Sequence, residues 1–231
     1  MSRYAAREAR LLYRLRIYYG LMVMLTLGLL ISGQLNFLPA FATLMLIRCF
    51  LPLGSGLLYL ANLVTLLRAL LMVAAPFFFA QPAVWVGVVS VAFALDAVDG
   101  WFARTYGCGP CGDHIDNEAD GLMVLVLSSI LVAEGVAPGW LLGLGLIRPV
   151  VQLFLCLLRR PPGQPLRHPL GKPVYGITVL VLLVGPWLPS VVPGWEVLMA
   201  LNLVSFGMDI YRVSRSKPGA AMVSQAARRL S

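Results

Sequence analysis

The stretch Leu95–Asp120, LDAVDGWFARTYGCGPCGDHIDNEAD, decides how this chain folds. Six of the ten acidic residues in the 231-residue chain fall within it. They are Asp96, Asp99, Asp113, Asp116, Glu118 and Asp120. The sequence on either side is strongly apolar, so this concentration of negative charge needs a physical explanation.

The composition is that of a membrane protein. Hydrophobic residues make up 59% of the chain and charged residues only 12%, whereas soluble domains are about 45–50% apolar and about 25% charged. The four cysteines are too scattered to predict a disulfide framework. The net charge of +8 is better explained by basic residues that flank membrane spans than by nucleic-acid binding. The predicted partner is the lipid bilayer, and no nucleic acid is expected.

Apolar runs of about 20 residues predict an all-α, polytopic transmembrane helix bundle with about eight spans. The predicted spans are 15–33 and 36–53, which form an N-terminal pair, and then 57–80, 82–104, 114–134, 138–158, 174–192 and 195–214. Three parts follow from this reading. Residues 1–55 contain the N-terminal tail and the extra helix pair, residues 56–215 form a six-helix core, and residues 216–231 form a C-terminal tail.

The basic residues predict the orientation of these spans. Sixteen of the 18 Lys and Arg residues fall on the side of the membrane that contains both termini, and Arg68 and Arg148 lie within spans. By the positive-inside rule, both termini and the acidic window face the cytoplasm from a cell inner or plasma membrane. Four tryptophans predict an aromatic belt at the opposite face. They are Trp85, Trp140, Trp187 and Trp195.

The acidic window places two pairs of carboxylates on facing helices. Asp96 and Asp99 are spaced i and i+3 near the end of one predicted helix, and Asp116 and Asp120 are spaced i and i+4 near the start of the next. A short turn makes the helices antiparallel neighbours, so the four carboxylates can point into one space. An Asp at membrane depth costs roughly 2.5–3.5 kcal/mol, so the negative charge of the four carboxylates must be compensated.

Divalent cations supply that compensation. All-oxygen carboxylate ligation suits Mg²⁺ or Mn²⁺ better than Zn²⁺, and two such ions would balance four carboxylates. Carboxylate-held metal with open positions is typical of phosphoryl-type transfer. Gly100 would let a ligand approach the backbone closely, and Arg104 can contact a phosphate. The window therefore predicts a site for a diphosphate.

The pattern Asp96-x2-Asp99-Gly100-x2-Ala103-Arg104-x7-Gly112-x3-Asp116-x3-Asp120 resembles, at all eight positions, the signature of the CDP-alcohol phosphotransferases, also called CDP-alcohol phosphatidyltransferases. The segment ANLVTLLR, residues 61–68, is similar to the family's motif in the first core helix, with Ala61 where the family usually has proline. The resemblance covers about residues 57–214.

The resemblance implies a membrane enzyme of phospholipid synthesis. It would transfer a phosphatidyl group from CDP-diacylglycerol to an alcohol acceptor and release CMP. The implied metal ligands are Asp96, Asp99, Asp116 and Asp120, which would hold two Mg²⁺ or Mn²⁺ ions, and Asp120 would also act as the general base. A homodimer is implied as well. The residues implied to contact the CDP group of the donor are Gly100, Ala103, Arg104, Asn62, Thr65 and Arg68.

The acceptor stays open, and basic residues favour a phosphorylated polyol. Arg148 lies within an apolar span, where a charge is expensive and so predicts either acceptor binding or a structural pair with Glu118 or an active-site Asp. Lys172 and Arg167, in or beside the loop at 159–173, are further acceptor-binding candidates. The segment HIDNEADGLMV, residues 114–124, differs from phosphatidylglycerophosphate synthases and resembles a bacterial group with a D-x-E-x-D pattern.

Two other functions are compatible with charges inside spans. A membrane transporter or channel would use intramembrane acids as an ion site, but here the acids gather at one turn rather than along a path. A catalytically inactive scaffold would not need all four aspartates. Cys108, Cys111 and His114 are too few for a structural zinc site and are interpreted as turn sequence.

Overall fold

The computed structural model describes residues 13, 16–25, 27–28, 59–78, 80–107, 112–157, 171–187 and 194–215. Within these ranges the side chains of residues 112–115, 155, 172, 186, 209 and 212–215 are not described. All regular structure in the described ranges is helical, which confirms the all-α prediction for that part of the chain.

Seven α-helices are described. They are α1 (Arg16–Leu25), α2 (Leu60–Ala74), α3 (Pro82–Tyr106), α4 (Gly112–Ala133), α5 (Gly143–Leu157), α6 (Gly171–Val184) and α7 (Trp195–Arg215). Three short 3-10 segments extend them: Ala75–Phe78 after α2, Gly139–Leu142 before α5 and Gly185–Trp187 after α6.

Helices α2 to α7 overlap the six predicted core spans, α6 only in part, and α1 falls within the first N-terminal span. The second N-terminal span, 36–53, and the tail, 216–231, lie outside the described residues. The count of eight crossings and the division into three parts therefore stay predictions. Within the part of the chain that the structure describes, two helical segments are long and apolar enough to cross a membrane: Leu60–Phe78, with a mean hydropathy of 1.8, and Pro82–Tyr106, with 1.6.

Helix α2 has its polar side chains inside and its leucines outside. Leu63, Leu67 and Leu70 are between 41% and 49% exposed on its outer face. Its inner face buries Asn62, Thr65 and Arg68. A helix in water would turn the polar face outward. The reversed pattern is that of a helix whose outer face meets lipid and whose polar residues line the bundle interior.

Helix α4 lies at the centre of the bundle and contacts α2, α5 and α6. Every residue from Leu122 to Leu131 is buried, so this helix is covered all round. Its two buried hydroxyls are satisfied internally, since Ser128 and Ser129 donate to the carbonyl of Leu125 at 3.0 and 2.7 Å. Gly145 on α5 permits close approach, because a Cβ there would meet Leu125.

The predicted aromatic belt is wrong for two of its four tryptophans. Trp85 and Trp195 are only 1% and 2% exposed and belong to the hydrophobic core, while Trp140 and Trp187 are exposed. Trp195 packs over Gly185, where a Cβ would lie 2.6 Å from the indole ring. These rings fill space between helices, a packing role that spacing in the sequence does not distinguish from an interfacial one.

Candidate active site

Carboxylates from the two acidic helices lie close together. Asp96 and Asp99 lie in the second half of α3, and Asp116 and Asp120 lie in the first half of α4. Helix α3 ends at Gly107, which has φ of 81° and donates its N–H to the carbonyl of Ala103 at 3.1 Å. Glycine adopts this left-handed conformation without strain, so it stops the helix sharply. Five residues, 107–111, separate α3 from α4.

Three of the four predicted ligands form one cluster. One carboxylate oxygen from each of Asp96, Asp116 and Asp120 lies within 4.8 Å of the other two. At that separation two unit charges repel by about 3.5 kcal/mol at an effective dielectric constant of about 20. The three carboxylates are half-buried, so solvent alone does not relieve this repulsion.

Arg68 of α2 inserts its fully buried guanidinium among the carboxylates. Its Nη1 pairs with Asp96 and lies 3.9 Å from Oδ2 of Asp99. Its Nη2 lies 3.0 Å from Oδ1 of Asp116 and 3.2 Å from Oδ1 of Asp120. Arg68 thus faces four carboxylates, and these five groups together carry a formal charge of −3.

Asp99 stands slightly apart from the cluster. It is 5% exposed, and its Oδ2 accepts a hydrogen bond of 2.8 Å from Oγ1 of Thr65. Thr65 and Arg68 are one turn apart on α2, so the inner face of that helix contacts the carboxylates directly. Asn62 is buried on the same face one turn earlier. Whether these three residues contact a CDP group stays a prediction.

The other residues predicted to contact the CDP group lie about one turn beyond the aspartates on α3. Gly100, Ala103 and Arg104 continue the face of Asp96 at helical spacing. Arg104 is exposed, and its Nη1 lies 3.5 Å from where a Cβ on Gly100 would be. No other described side chain or distant backbone lies within 4 Å of that position. The backbone at Gly100 is therefore approachable beside an exposed guanidinium.

Arg148 makes its hydrogen bonds to a residue that the sequence analysis did not suggest, and it also interacts electrostatically with Asp120. Its Nη2 donates to Oδ1 of Asn117 at 2.9 Å, and its Nη1 donates to the carbonyl of Asn117. Glu118, the predicted structural partner, instead accepts a hydrogen bond from Tyr19. Asn117 follows Asp116 directly, so Arg148 still lies near the N-terminal half of α4, which carries the aspartates. Arg167 falls outside the described residues, and Lys172 is described only as the second residue of α6.

Tyr175 is a site residue that the sequence analysis missed. Its hydroxyl, on α6, donates a 3.5 Å hydrogen bond to Sδ of Met123 and lies close enough to Asp120 to interact with its carboxylate. The residue occurs in the segment LGKPVYG, but nothing in its spacing connects it to Asp120, which is 55 positions away. Only the packing of α6 on α4 brings the two together.

Replacing Arg68 by Met should destabilise the metal-free protein by about 3–5 kcal/mol, because removing one partner leaves buried charges uncompensated. The free energy of unfolding in mixed detergent micelles with EDTA measures this, and added Mn²⁺ should recover part of the loss. Arg104→Met, an exposed arginine on α3, is the control and should change stability by less than about 0.5 kcal/mol. Equal stability of Arg68→Met and wild type in EDTA would contradict the ion-pair interpretation.

Comparison with known proteins identifies the core. The family model described as CDP-alcohol phosphatidyltransferase matches residues 58–208, about two thirds of the chain, from the start of α2 into α7. Neither the curated proteins nor the solved structures contain a significant match. The family consists of membrane-integral transferases that use divalent metal ions and move a phosphatidyl group from a CDP-alcohol. This chain belongs to the CDP-alcohol phosphatidyltransferase family.

Proposed function

We propose that this chain transfers the phosphatidyl group of CDP-diacylglycerol to the hydroxyl of an alcohol acceptor and releases CMP. The observation that carries the proposal is the convergence of Asp96, Asp116 and Asp120 from two neighbouring helices within 4.8 Å, inside the region that matches the family. Membership in a transferase family makes the rival reading, a transporter or channel, the weaker one.

The residues present fit divalent ions. Carboxylate oxygens are the ligands that Mg²⁺ and Mn²⁺ prefer, and the excess of negative charge around Arg68 favours added cations. Asp96, Asp99, Asp116 and Asp120 would hold two ions. When bound, such ions polarise phosphate oxygens and offset the charge that develops during phosphoryl transfer.

The donor's diphosphate and nucleotide would lie along α3 and α2. Arg104 offers an exposed guanidinium, which forms strong, charge-assisted bonds with phosphate oxygens. The open backbone at Gly100 and the small side chain of Ala103 leave room beside it. Asn62, Thr65 and Arg68 would complete this part of the site from α2, while the acyl chains stay in the lipid outside the bundle.

Asp120 is the proposed general base. The acceptor oxygen attacks the phosphatidyl phosphorus, the bond from that phosphorus to the oxygen of CMP breaks, and the hydroxyl proton passes to the Asp120 carboxylate. The hydroxyl of Tyr175, on α6, lies beside this carboxylate. The proposed base thus has a polar neighbour on a helix that packs against α4 and carries none of the four aspartates.

The acceptor would enter beside Arg148. The Arg148 guanidinium donates a hydrogen bond to Asn117, next to Asp116, and so offers positive charge close to the reacting groups. A phosphorylated polyol would match that charge, and Lys172 and Arg167 would add to it. Both termini and the site would face the cytoplasm, and the functional unit would be a homodimer.

The direct test is CMP release by the purified protein from CDP-diacylglycerol, with Mn²⁺ or Mg²⁺ and a panel of acceptors. Asp120→Asn should lower the rate about 100- to 10,000-fold, the range of a general base, while the protein stays folded. Glu134→Gln, which alters an acid in the turn after α4, is the matched control and should keep the wild-type rate. Wild-type turnover by Asp120→Asn would remove Asp120 from the chemistry.

Arg148→Met should raise the KM for a phosphorylated acceptor about 10- to 100-fold, as expected for losing a charged hydrogen bond of about 1.5–3 kcal/mol. The KM for CDP-diacylglycerol should stay within about twofold. Steady-state kinetics with glycerol 3-phosphate and with glycerol separate the possibilities, since only the phosphorylated acceptor should be affected. An equal change for both acceptors, or loss of folding alone, would assign Arg148 to holding Asn117.

A further inference from the structure

Helix α1 lies outside the region that matches the family, yet it contacts the helix that carries two of the aspartates. The hydroxyl of Tyr19 donates a 2.8 Å hydrogen bond to Oε1 of Glu118. Glu118 lies midway between Asp116 and Asp120 on α4. The contact joins residues 99 positions apart, and it reaches α4 at the level of the site.

The contact is part of a packed interface. Tyr18, Tyr19 and Met22 are at most 7% exposed and belong to the same hydrophobic core as α4. At the other end of the interface, Nε of Arg16 donates to the carbonyl of Cys156 at 3.0 Å, in the last turn of α5. Carbonyls in the last turn of a helix lack helical partners, so Arg16 satisfies one of them. Helix α1 is thereby attached to both α4 and α5.

Helical geometry places Glu118 behind the aspartates. Each residue advances about 100° around a helix, so Glu118 lies about 200° from Asp116 and about 160° from Asp120. A hydrogen bond on the back of α4 does not touch the site, but it restricts rotation of the helix about its axis. Rotation of α4 would move both of its carboxylates relative to Asp96 on α3.

We propose that Tyr19 and Glu118 are positioning residues: α1 holds α4 in the rotation at which its carboxylates meet those of α3 at the spacing that divalent ions require. The inference rests on the proposed metal site. It gives one physical reason for two features outside the family motif, namely the N-terminal helix and the carboxylate of Glu118 between two aspartates.

The test is a Mn²⁺ titration of the full chain in detergent micelles, read as the rise in melting temperature and, separately, as the rate of CMP release. Tyr19→Phe should raise the Mn²⁺ concentration for half-maximal stabilisation about tenfold, the lower end of the effect of residues that orient metal ligands. Glu118→Leu should match it. Glu118→Gln, which keeps an oxygen acceptor for Tyr19, should restore most of the wild-type midpoint.

Two further variants complete the experiment. The double variant Tyr19→Phe with Glu118→Leu should need no more Mn²⁺ for half-maximal stabilisation than either single variant, because the same interaction is lost in all three. Tyr13→Phe removes a hydroxyl from an exposed tyrosine just before α1 and should leave the midpoint unchanged.

The outcomes separate this inference from the proposed function. If wild type gains no stability from Mn²⁺, the metal site itself is wrong. If Asp116→Asn abolishes the Mn²⁺ effect but Tyr19→Phe leaves the midpoint at the wild-type value, the site stands and the positioning role fails. A lower melting temperature for Tyr19→Phe without a shifted midpoint likewise reduces the pair to a structural contact.

Discussion

Four carboxylates held around one buried guanidinium are the constraint on which the rest of the structure depends. Arg68 faces Asp96, Asp99, Asp116 and Asp120, so the bundle interior has an excess of negative charge that neither lipid nor the apolar core can stabilise. Repulsion of this kind would separate α3 from α4 unless the helices were held together by other means. Helix α2 does so, because it packs against both α3 and α4, and bound cations would relieve the repulsion directly.

Three surrounding helices add polar contacts to this centre. Helix α2 contributes Thr65 and Arg68, α5 contributes Arg148 on Asn117, and α6 contributes Tyr175 on Asp120. The rest of α4 is covered by apolar packing. The polar site is therefore set into one end of a helix whose remaining length is held rigidly, and this arrangement suits a reaction that depends on positioning.

The acidic pairs were predictable from the sequence because their geometry is local. Spacings of three and four residues place side chains on one face, and a short turn makes two helices neighbours. Apolar runs likewise located α2 to α7. The contacts of Arg68, Tyr175 and Arg148 join residues 28 to 55 positions apart and arise from the packing of helices. No regular spacing of residues in a single sequence predicts such contacts. For the same reason the sequence does not reveal the hydrogen bond of Tyr19 with Glu118 or the burial of Trp85 and Trp195.

The central claim is that divalent ions are held between α3 and α4. Anomalous difference density at the manganese edge, from the protein saturated with Mn²⁺, tests it most directly. The account predicts two peaks within coordination distance of the oxygens of Asp96, Asp99, Asp116 and Asp120. Density that shows no peak there, with all four carboxylates still paired with Arg68 alone, would contradict it.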